Sequence, residues 1–196
     1  MEKIDLGLPS ETKWASCNIG ARKPTEFGYY FAWGESYPKD DYVENTSKTY
    51  DMGLYTLMDL LDKRNVLLDI FDAGADILSN GWRVPSIEQA LELVNYCNWE
   101  WVINYENTGV NGRLGISKIN GAKIFLPAAG LAQSLNKIRI GRDGEYWTSS
   151  PNMIVPHRAW SIAFDSTVIN VSGDGLRYYG FSIRPVHNPR LLSIRD

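Results

Sequence analysis

The chain has 196 residues, of which 44% are hydrophobic, 12% aromatic and 22% charged, and its formal net charge is -3. A chain of this length buries a substantial core, and we expect one α+β domain over residues 1–196. The slightly acidic balance and the lack of a basic run exclude a general affinity for nucleic acid or for an anionic membrane surface. No apolar stretch approaches the roughly 20 residues that span a bilayer, so we expect no direct membrane insertion.

The N-terminal third combines short extended segments with a polar loop. Residues 4–8 and 13–20 predict two short strands around a turn, and the aromatic run at 28–35 is typical of buried extended structure. Residues 36–50 are polar and predict a loop. The apolar spacing of residues 52–70 predicts one or two amphipathic helices, followed by a further helical turn at 72–78.

The clearest helix signal begins at Ser86. Ser86 is a favourable N-cap, and Gln89 stands at the position that completes a capping box. Apolar residues then recur on one face of the predicted helix, which we expect to pack on the core. These residues are Ile87, Ala90, Leu91, Val94 and Cys97.

The second half of the chain predicts mainly short strands. Residues 115–126 predict a hairpin around an Asn-Gly turn, residues 131–143 a loop, and residues 144–186 a set of alternating strands. Within that set, turns are expected at 165–166 and 172–175. The strand residues expected to be buried are Trp147, Ile162, Phe164, Phe181 and Ile183. The predicted architecture therefore has short twisted antiparallel strands, about two helices and long loops.

The acidic residues raise the question of catalysis. Asp143, Glu145, Asp165 and Asp174 would suit a glycosidase if two of them lay roughly 5–10 Å apart, but each stands in a predicted turn or loop, where acidic residues bond locally. The serine pair at 149–150 lacks a nucleophile-elbow pattern. We therefore predict no catalytic residue.

The histidines and cysteines give no metal-binding pattern. His157 and His187 are the only histidines, and neither has a second ligand-type residue at metal spacing. The two cysteines, Cys17 and Cys97, leave two alternatives open: a disulfide in an oxidising compartment, or two buried thiols. No metal site and no cofactor are predicted.

The least regular residue choice lies between residues 150 and 180. Three adjacent apolar residues at 153–155 are either tucked under the core or exposed as a contact patch, and we favour contact. Arg158 would add polar specificity, and exposed aromatic residues would stack on a sugar or anchor a protein. In a strand, only one of the two tyrosines at 178–179 would face outward. The candidate ligand-binding residues are Asn152, Met153, Val155, His157, Arg158, Trp160, Asp174, Tyr178 and Tyr179.

Seven motifs follow one another along nearly the whole chain, from residue 4 to residue 187. They are DLGL at 5–8, KWASCNIGA at 13–21, YFAWGE at 30–35, GWRVPS at 81–86, IFLPAAG at 124–130, YWTSS at 146–150 and GFSIRPV at 180–186. In this order they resemble the Fibrobacter succinogenes major paralogous domain family of Bacteroidetes. That family is similar in turn to the formylglycine-generating-enzyme branch of the C-type lectin fold, which includes the variable proteins of diversity-generating retroelements.

The resemblance implies a C-type-lectin-like domain whose terminal strands meet and whose ligand face is rich in loops. Residues 150–180 would fall on the binding surface. Formylglycine-generating enzymes hold copper with a late pair of cysteines, whereas no cysteine follows Cys97 here. The Glu-Pro-Asn or Gln-Pro-Asp and Trp-Asn-Asp motifs of calcium-dependent lectins are also missing. Neither copper chemistry nor calcium-mediated sugar binding is therefore expected.

These observations lead to one functional expectation and two alternatives. We expect a non-catalytic ligand-binding or display module that recognises a protein or glycan through its 152–179 surface, with a retroelement variable protein as one version. The alternatives are an enzyme of the formylglycine-generating or hydrolase type, and a structural domain of a surface filament or phage particle. The resemblance implies a cell-surface or phage location. The N-terminus shows no signal peptide, which favours the cytoplasm or removal of an export signal. The oligomeric state stays open.

Overall fold

The computed structural model describes residues 1–188 and is mixed α+β, built mostly from small antiparallel sheets. This confirms the predicted class. Among these residues there are three α-helices, α1 (Leu54–Met58), α2 (Ala73–Leu78) and α3 (Ile87–Tyr96). The strands are β1 (Lys3–Ile4), β2 (Lys13–Ala15), β3 (Trp82–Arg83), β4 (Cys97–Val102), β5 (Gly112–Ser117), β6 (Lys123–Pro127), β7 (Leu131–Gln133), β8 (Asn136–Ile138), β9 (Gly144–Pro151), β10 (Arg158–Phe164), β11 (Ile169–Leu176) and β12 (Val186–His187).

The first sheet brings the two ends of the described chain together. Its strand order is β1-β2-β12-β3, and Val186 pairs with Trp14 on one side and with Arg83 on the other. The first and last strands therefore share a sheet, as expected, with β2 between them. The strands are shorter than expected: residues 5–8 and 16–20 lie outside them, and Phe181 bridges Phe31 rather than joining this sheet.

The second sheet, in the order β11-β10-β9, stands between two parts of the core. Its consecutive residues Tyr146 and Trp147 belong to two different apolar clusters, as alternation along a strand requires. Helix α3 packs against all three strands of this sheet. The five strand residues predicted to be buried are all buried: Trp147, Ile162, Phe164, Phe181 and Ile183.

The capped helix α3 begins where the sequence predicts it. Ser86 Oγ accepts a hydrogen bond from Gln89 N, and Gln89 Oε1 accepts one from Ser86 N. The prediction is wrong for one residue of the apolar face. Leu91 is exposed, and the core position is taken by Leu93.

The helices predicted over residues 52–70 form only in part. The segment contains the short α1, an isolated bridge between Leu61 and Leu67, and a 3₁₀ turn at Asp69–Phe71. Of the apolar residues whose spacing predicted these helices, Leu57 and Leu67 are buried, whereas Met58 and Ile70 are exposed. Apolar spacing thus identified only some of the residues that face the core, and it did not require a continuous helix.

Two turn and loop predictions are wrong. Residues 131–143 contain the hairpin β7–β8, whose turn uses Ser134 at φ 50° in place of a glycine. Residues 172–175 lie within β11 rather than in a turn. Gly175 is needed there because a Cβ would meet the ring of Trp147 at 2.5 Å. The hairpin around the Asn-Gly turn does form, from β5 and β6.

Both cysteines are buried, free thiols. Cys97 lies in the apolar cluster that contains Leu93, and burial raises the pKa of its thiol to about 11. Cys17 donates a hydrogen bond of 3.3 Å from Sγ to the carbonyl of Ala21. Of the two alternatives left open by the sequence, the structure therefore has two buried thiols.

Arg184 connects distant parts of the core. Its side chain is buried and makes four hydrogen bonds: Nε to Asn18 Oδ1 at 2.8 Å, Nη1 to the carbonyls of Ala15 and Ser16, and Nη2 to the carbonyl of Phe125 at 2.9 Å. One guanidinium thus connects the motif at 180–186 to the motifs at 13–21 and 124–130. Within residues 1–188, none of the helices has the length and apolar character to cross a membrane.

Candidate functional site

The candidate site is organised by the loop that joins β9 to β10, residues 152–157. Asn152 fixes its shape, because Nδ2 donates to the carbonyl of Gly173 at 2.9 Å while Oδ1 accepts from the backbone N–H groups of Ile154 and Val155. The ends of the loop are joined by a hydrogen bond from Asn152 N to the carbonyl of Arg158. The loop is therefore ordered by local bonds of the Asx type. The side-chain polar atoms of Asn152 thus hold the loop in shape and attach it to β11.

This anchoring presents three neighbouring apolar side chains to solvent. Ile154 is 90% exposed, Val155 is 40% exposed and Met153 is 36% exposed. We call these three residues the apolar loop patch. The sequence left open whether they would be tucked under the core or exposed, and the structure has them exposed. Adjacent exposed apolar residues on an ordered loop are typical of a contact surface.

An aromatic cluster adjoins the loop, and it includes one residue that the sequence analysis missed. The ring of Tyr50 lies 5.1 Å from that of His157 and 4.8 Å from that of Tyr178, measured between centroids. His157 Nδ1 is 3.0 Å from the carbonyl oxygen of Tyr50. Tyr178 and Tyr179 lie in a turn, with rings 4.7 Å apart, so the expectation that a strand would point them to opposite faces is wrong. Neither tyrosine presents an isolated ring.

A second residue missed by the sequence analysis, Arg177, holds the Tyr50 segment in place. Its Nη2 donates to the carbonyls of Tyr50 and Met52, and its guanidinium lies 5.7 Å from the ring of Trp33. Its backbone N–H donates to the carbonyl of His157. The side chain is buried, and this burial lowers the pKa of the guanidinium to about 10. Arg177 therefore joins residues 50–52 to the loop of residues 152–157.

The remaining predicted residues lie on β10 and β11. Arg158 Nη1 forms an ion pair of 2.8 Å with Asp174 Oδ1, and the Asp174 side chain is largely exposed. Trp160 is half-buried over Gly173, where a Cβ would meet its ring at 3.2 Å. The structure thus brings the loop and the aromatic cluster together. Arg158 and Asp174 form a charged pair that is accessible to solvent, and Trp160 is partly buried.

Replacing Asn152 by alanine is expected to loosen the loop without unfolding the protein. The change removes three hydrogen bonds that order the loop, of which each contributes about 0.5–1.5 kcal/mol net. We expect a loss of about 1–2 kcal/mol in the free energy of unfolding, together with faster amide exchange at residues 154 and 155. Hydrogen exchange followed by mass spectrometry measures the second effect. Met153→Ala is the matched control, and equal exchange in the two variants would contradict the role given to Asn152.

The four acidic residues considered for catalysis have separate local partners. Asp165 accepts hydrogen bonds from Thr167 Oγ1 and from the N–H groups of Thr167 and Val168, which lowers its pKa to about 2. Asp143 pairs with Arg139, and Asp174 pairs with Arg158 as described above. Burial raises the pKa of Glu145 to about 7, and its carboxylate accepts a hydrogen bond from Ser161 Oγ. Each of the four carboxylates therefore has a local partner that gives it a structural role.

A cleft of about 370 Å³ lies at the start of α3 and has Asp72, Arg83 and Ser149 in its lining. Ser149 Oγ donates to the carbonyl of Pro85, and Ser150 Oγ accepts from Ile87 N, so both serines position the start of the helix. Within the described part of the chain, no group of three or more His, Cys, Asp or Glu side chains could hold a metal ion. Ser86 Oγ, in the same lining, donates to Glu88 Oε2 at 2.7 Å while it accepts the capping hydrogen bond from Gln89 N, so this serine also serves the start of the helix.

Comparisons of the chain with protein-family models, with curated proteins and with solved structures find no match.

Proposed function

We propose that this protein is a non-catalytic binding module of C-type-lectin-like architecture, which recognises a protein partner through its 152–179 surface. The observation that carries the proposal is the 90% exposure of Ile154 on a loop whose backbone is fixed by Asn152. A partner that covers this large apolar side chain removes it from water, which favours binding. An ordered loop also loses little conformational entropy when it binds. Met153 and Val155 widen the same patch.

A protein partner fits this surface better than a glycan. Tyr50, Tyr178 and Tyr179 are each partly buried and contact one another edge-to-face, which limits the ring surface open to a sugar. The apolar loop patch also offers few hydrogen-bonding groups. The charged pair of Arg158 and Asp174 borders it, which resembles the polar rim around the apolar centre of a protein interface.

The architecture in this proposal is supported by the positions of the motif residues. Arg184 of the last motif bonds to residues of the second and fifth motifs, and the terminal strands share one sheet. A variable protein of a diversity-generating retroelement is one version of the proposal. That version requires a reverse-transcriptase gene and a template repeat in the neighbouring DNA, and it is wrong if sequencing finds neither.

The double substitution Met153→Ser, Ile154→Asp tests the proposal. Proteins captured on the immobilised wild-type chain are each titrated against wild type and variant by calorimetry. We expect the variant to bind at least about tenfold more weakly, because exposed apolar anchors carry much of the affinity of an interface. Its melting temperature should stay unchanged, since both side chains are exposed.

The matched control is Ile103→Asp, which places the same charge at an exposed isoleucine outside the 152–179 surface. Affinity should be unchanged in that variant. The proposal fails if the double variant binds every captured partner as tightly as wild type does, or if the control weakens binding to the same extent.

A further inference from the structure

A groove of about 490 Å³ lies between the segment 28–42 and the hairpin β7–β8, outside the 152–179 surface. We call it the tyrosine groove. The residues that matter in its lining are Tyr29, Tyr30, Tyr42, Lys39, Asp40 and Lys137. Its volume falls within the range of roughly 300–1,000 Å³ that is usual for small-ligand sites.

The floor of the tyrosine groove is held in place by internal hydrogen bonds. The Tyr30 hydroxyl donates to the carbonyl of Ala129 at 2.6 Å, and the Tyr42 hydroxyl donates to the carbonyl of Tyr30 at 2.5 Å. Tyr42 also forms a two-way backbone bridge with Ser134 at the tip of the hairpin. Since both buried hydroxyls are satisfied inside the protein, the groove exists before any ligand arrives.

Tyr29 provides an aromatic ring that is packed on one side and about half exposed to solvent. The ring packs so closely on Gly20 that a Cβ there would lie 2.5 Å from it. Its edge contact with Phe31 has a centroid distance of 6.4 Å. The Tyr29 side chain is nevertheless 49% exposed. The face of an aromatic ring carries partial negative charge, so it attracts the C–H groups on one face of a pyranose ring.

The two lysines of the tyrosine groove differ in their pairing. Lys39 Nζ lies within 3.1 Å of Glu35 Oε1 and 3.0 Å of Glu35 Oε2, and it donates to the carbonyl of Thr46. Lys137 is exposed and lies 4.9 Å from the centroid of the Tyr30 ring. Among residues 1–188, no carboxylate forms an ion pair with Lys137. Lys137 is therefore an ammonium group that no ion pair neutralises, and the exposed carboxylate of Asp40 lines the same groove.

We propose that the tyrosine groove binds an acidic oligosaccharide, with one sugar ring stacked on Tyr29 and a sugar carboxylate paired with Lys137. Asp40 is an exposed acceptor for sugar hydroxyl groups, and the side chain of Asn136 both donates and accepts hydrogen bonds. One open ring and one unpaired ammonium suit a uronic acid better than a phosphate-rich ligand, which would need several cations. This site is separate from the 152–179 surface and does not depend on the function proposed for that surface.

The test is a calorimetric titration of the whole chain with trigalacturonate and, in parallel, with the neutral trisaccharide maltotriose. We expect trigalacturonate to bind with a dissociation constant of about 1 mM or lower, and maltotriose to bind at least about tenfold more weakly. Tyr29→Leu and Lys137→Gln should each weaken trigalacturonate binding about tenfold. Tyr29→Phe keeps the ring and should bind as wild type does. Tyr55→Leu and Lys63→Gln change an exposed tyrosine and an exposed lysine outside the groove, and they should have no effect.

Three results would overturn the proposal: no binding of trigalacturonate, equal binding of the acidic and neutral sugars, or full binding by the Lys137→Gln variant. If Tyr29→Leu disturbs folding, the comparison of Tyr29→Phe with Lys137→Gln still decides the outcome, because both keep the ring that packs on Gly20. The Met153→Ser, Ile154→Asp variant should bind trigalacturonate normally, so this test and the partner test fail independently.

Discussion

Replacing Arg184 by methionine should lower the free energy of unfolding by at least about 3 kcal/mol. The substitution keeps much of the buried volume but removes the donors of four hydrogen bonds. The acceptors on Ala15, Ser16, Asn18 and Phe125 would then be left without their partner in a region that excludes water. Each such loss costs about 1–3 kcal/mol, although the four acceptors share one donor group and their costs do not add fully.

Urea denaturation of the variant and the wild type measures this effect. Arg184→Lys should lose most of the same stability, because one compact ammonium cannot reach acceptors that the planar guanidinium contacts in different directions. Arg22→Met, at an exposed arginine, is the control and should change stability by less than about 0.5 kcal/mol. A loss below about 1 kcal/mol in Arg184→Met would show that water replaces the missing donors.

Replacing Asp72 by alanine should cost about 3 kcal/mol. The Asp72 carboxylate caps α2 by accepting from Ala75 N at 3.0 Å, and it accepts from Val84 N with both oxygens. Alanine would leave two backbone N–H groups unpaired. Asp72→Asn keeps one oxygen at the position that serves both donors, so it should cost much less than alanine. Equal losses in the two variants would contradict this account.

The same residue should make stability depend on pH. Burial raises the pKa of Asp72 to about 7, from a reference value of 3.8, and raises that of Glu145 to about 7 in the same way. The folded state therefore holds these protons more tightly than the unfolded state does. Their contribution to stability is fully present below about pH 4 and is lost as the pH rises through about 7.

Unfolding in urea at pH 5 and at pH 8 checks this prediction. The free energy of unfolding of the wild type should be lower at pH 8 than at pH 5, because the contributions of Asp72 and Glu145 are lost. The decrease should be smaller in Asp72→Asn, because its amide does not titrate. An identical change in both proteins would mean that the backbone donors stabilise the charged form of Asp72 enough to cancel the effect of burial.

Local signals allowed part of this fold to be predicted from the sequence. The capping box at Ser86 and Gln89 and the Asn-Gly turn of the β5–β6 hairpin depend on neighbours within a few residues, and both elements form. The alternation that marked Ile162 and Phe164 as buried is local as well. The hairpin β7–β8 was missed because Ser134 takes a backbone conformation that usually signals glycine.

The candidate site was less predictable because its contacts join distant parts of the chain. Arg177 bonds to Tyr50 across 127 positions, and no pattern around either residue indicates the other. Glycines add a second difficulty. Gly175 has the appearance of a turn residue, yet it lies in β11, where the ring of Trp147 leaves no space for a side chain. The C-type-lectin-like architecture itself stays a prediction.

The bonds that hold residues 152–157 separate the frame of the loop from the chemistry it displays. They come from Asn152 and from main-chain atoms, while the side chains at 153, 154 and 155 contribute none of them. Any amino acid other than proline supplies the N–H groups required at 154 and 155. Charge, size and polarity at these three positions can therefore be exchanged while the path of the backbone stays the same. A lineage could change what this loop recognises through substitutions that leave folding intact.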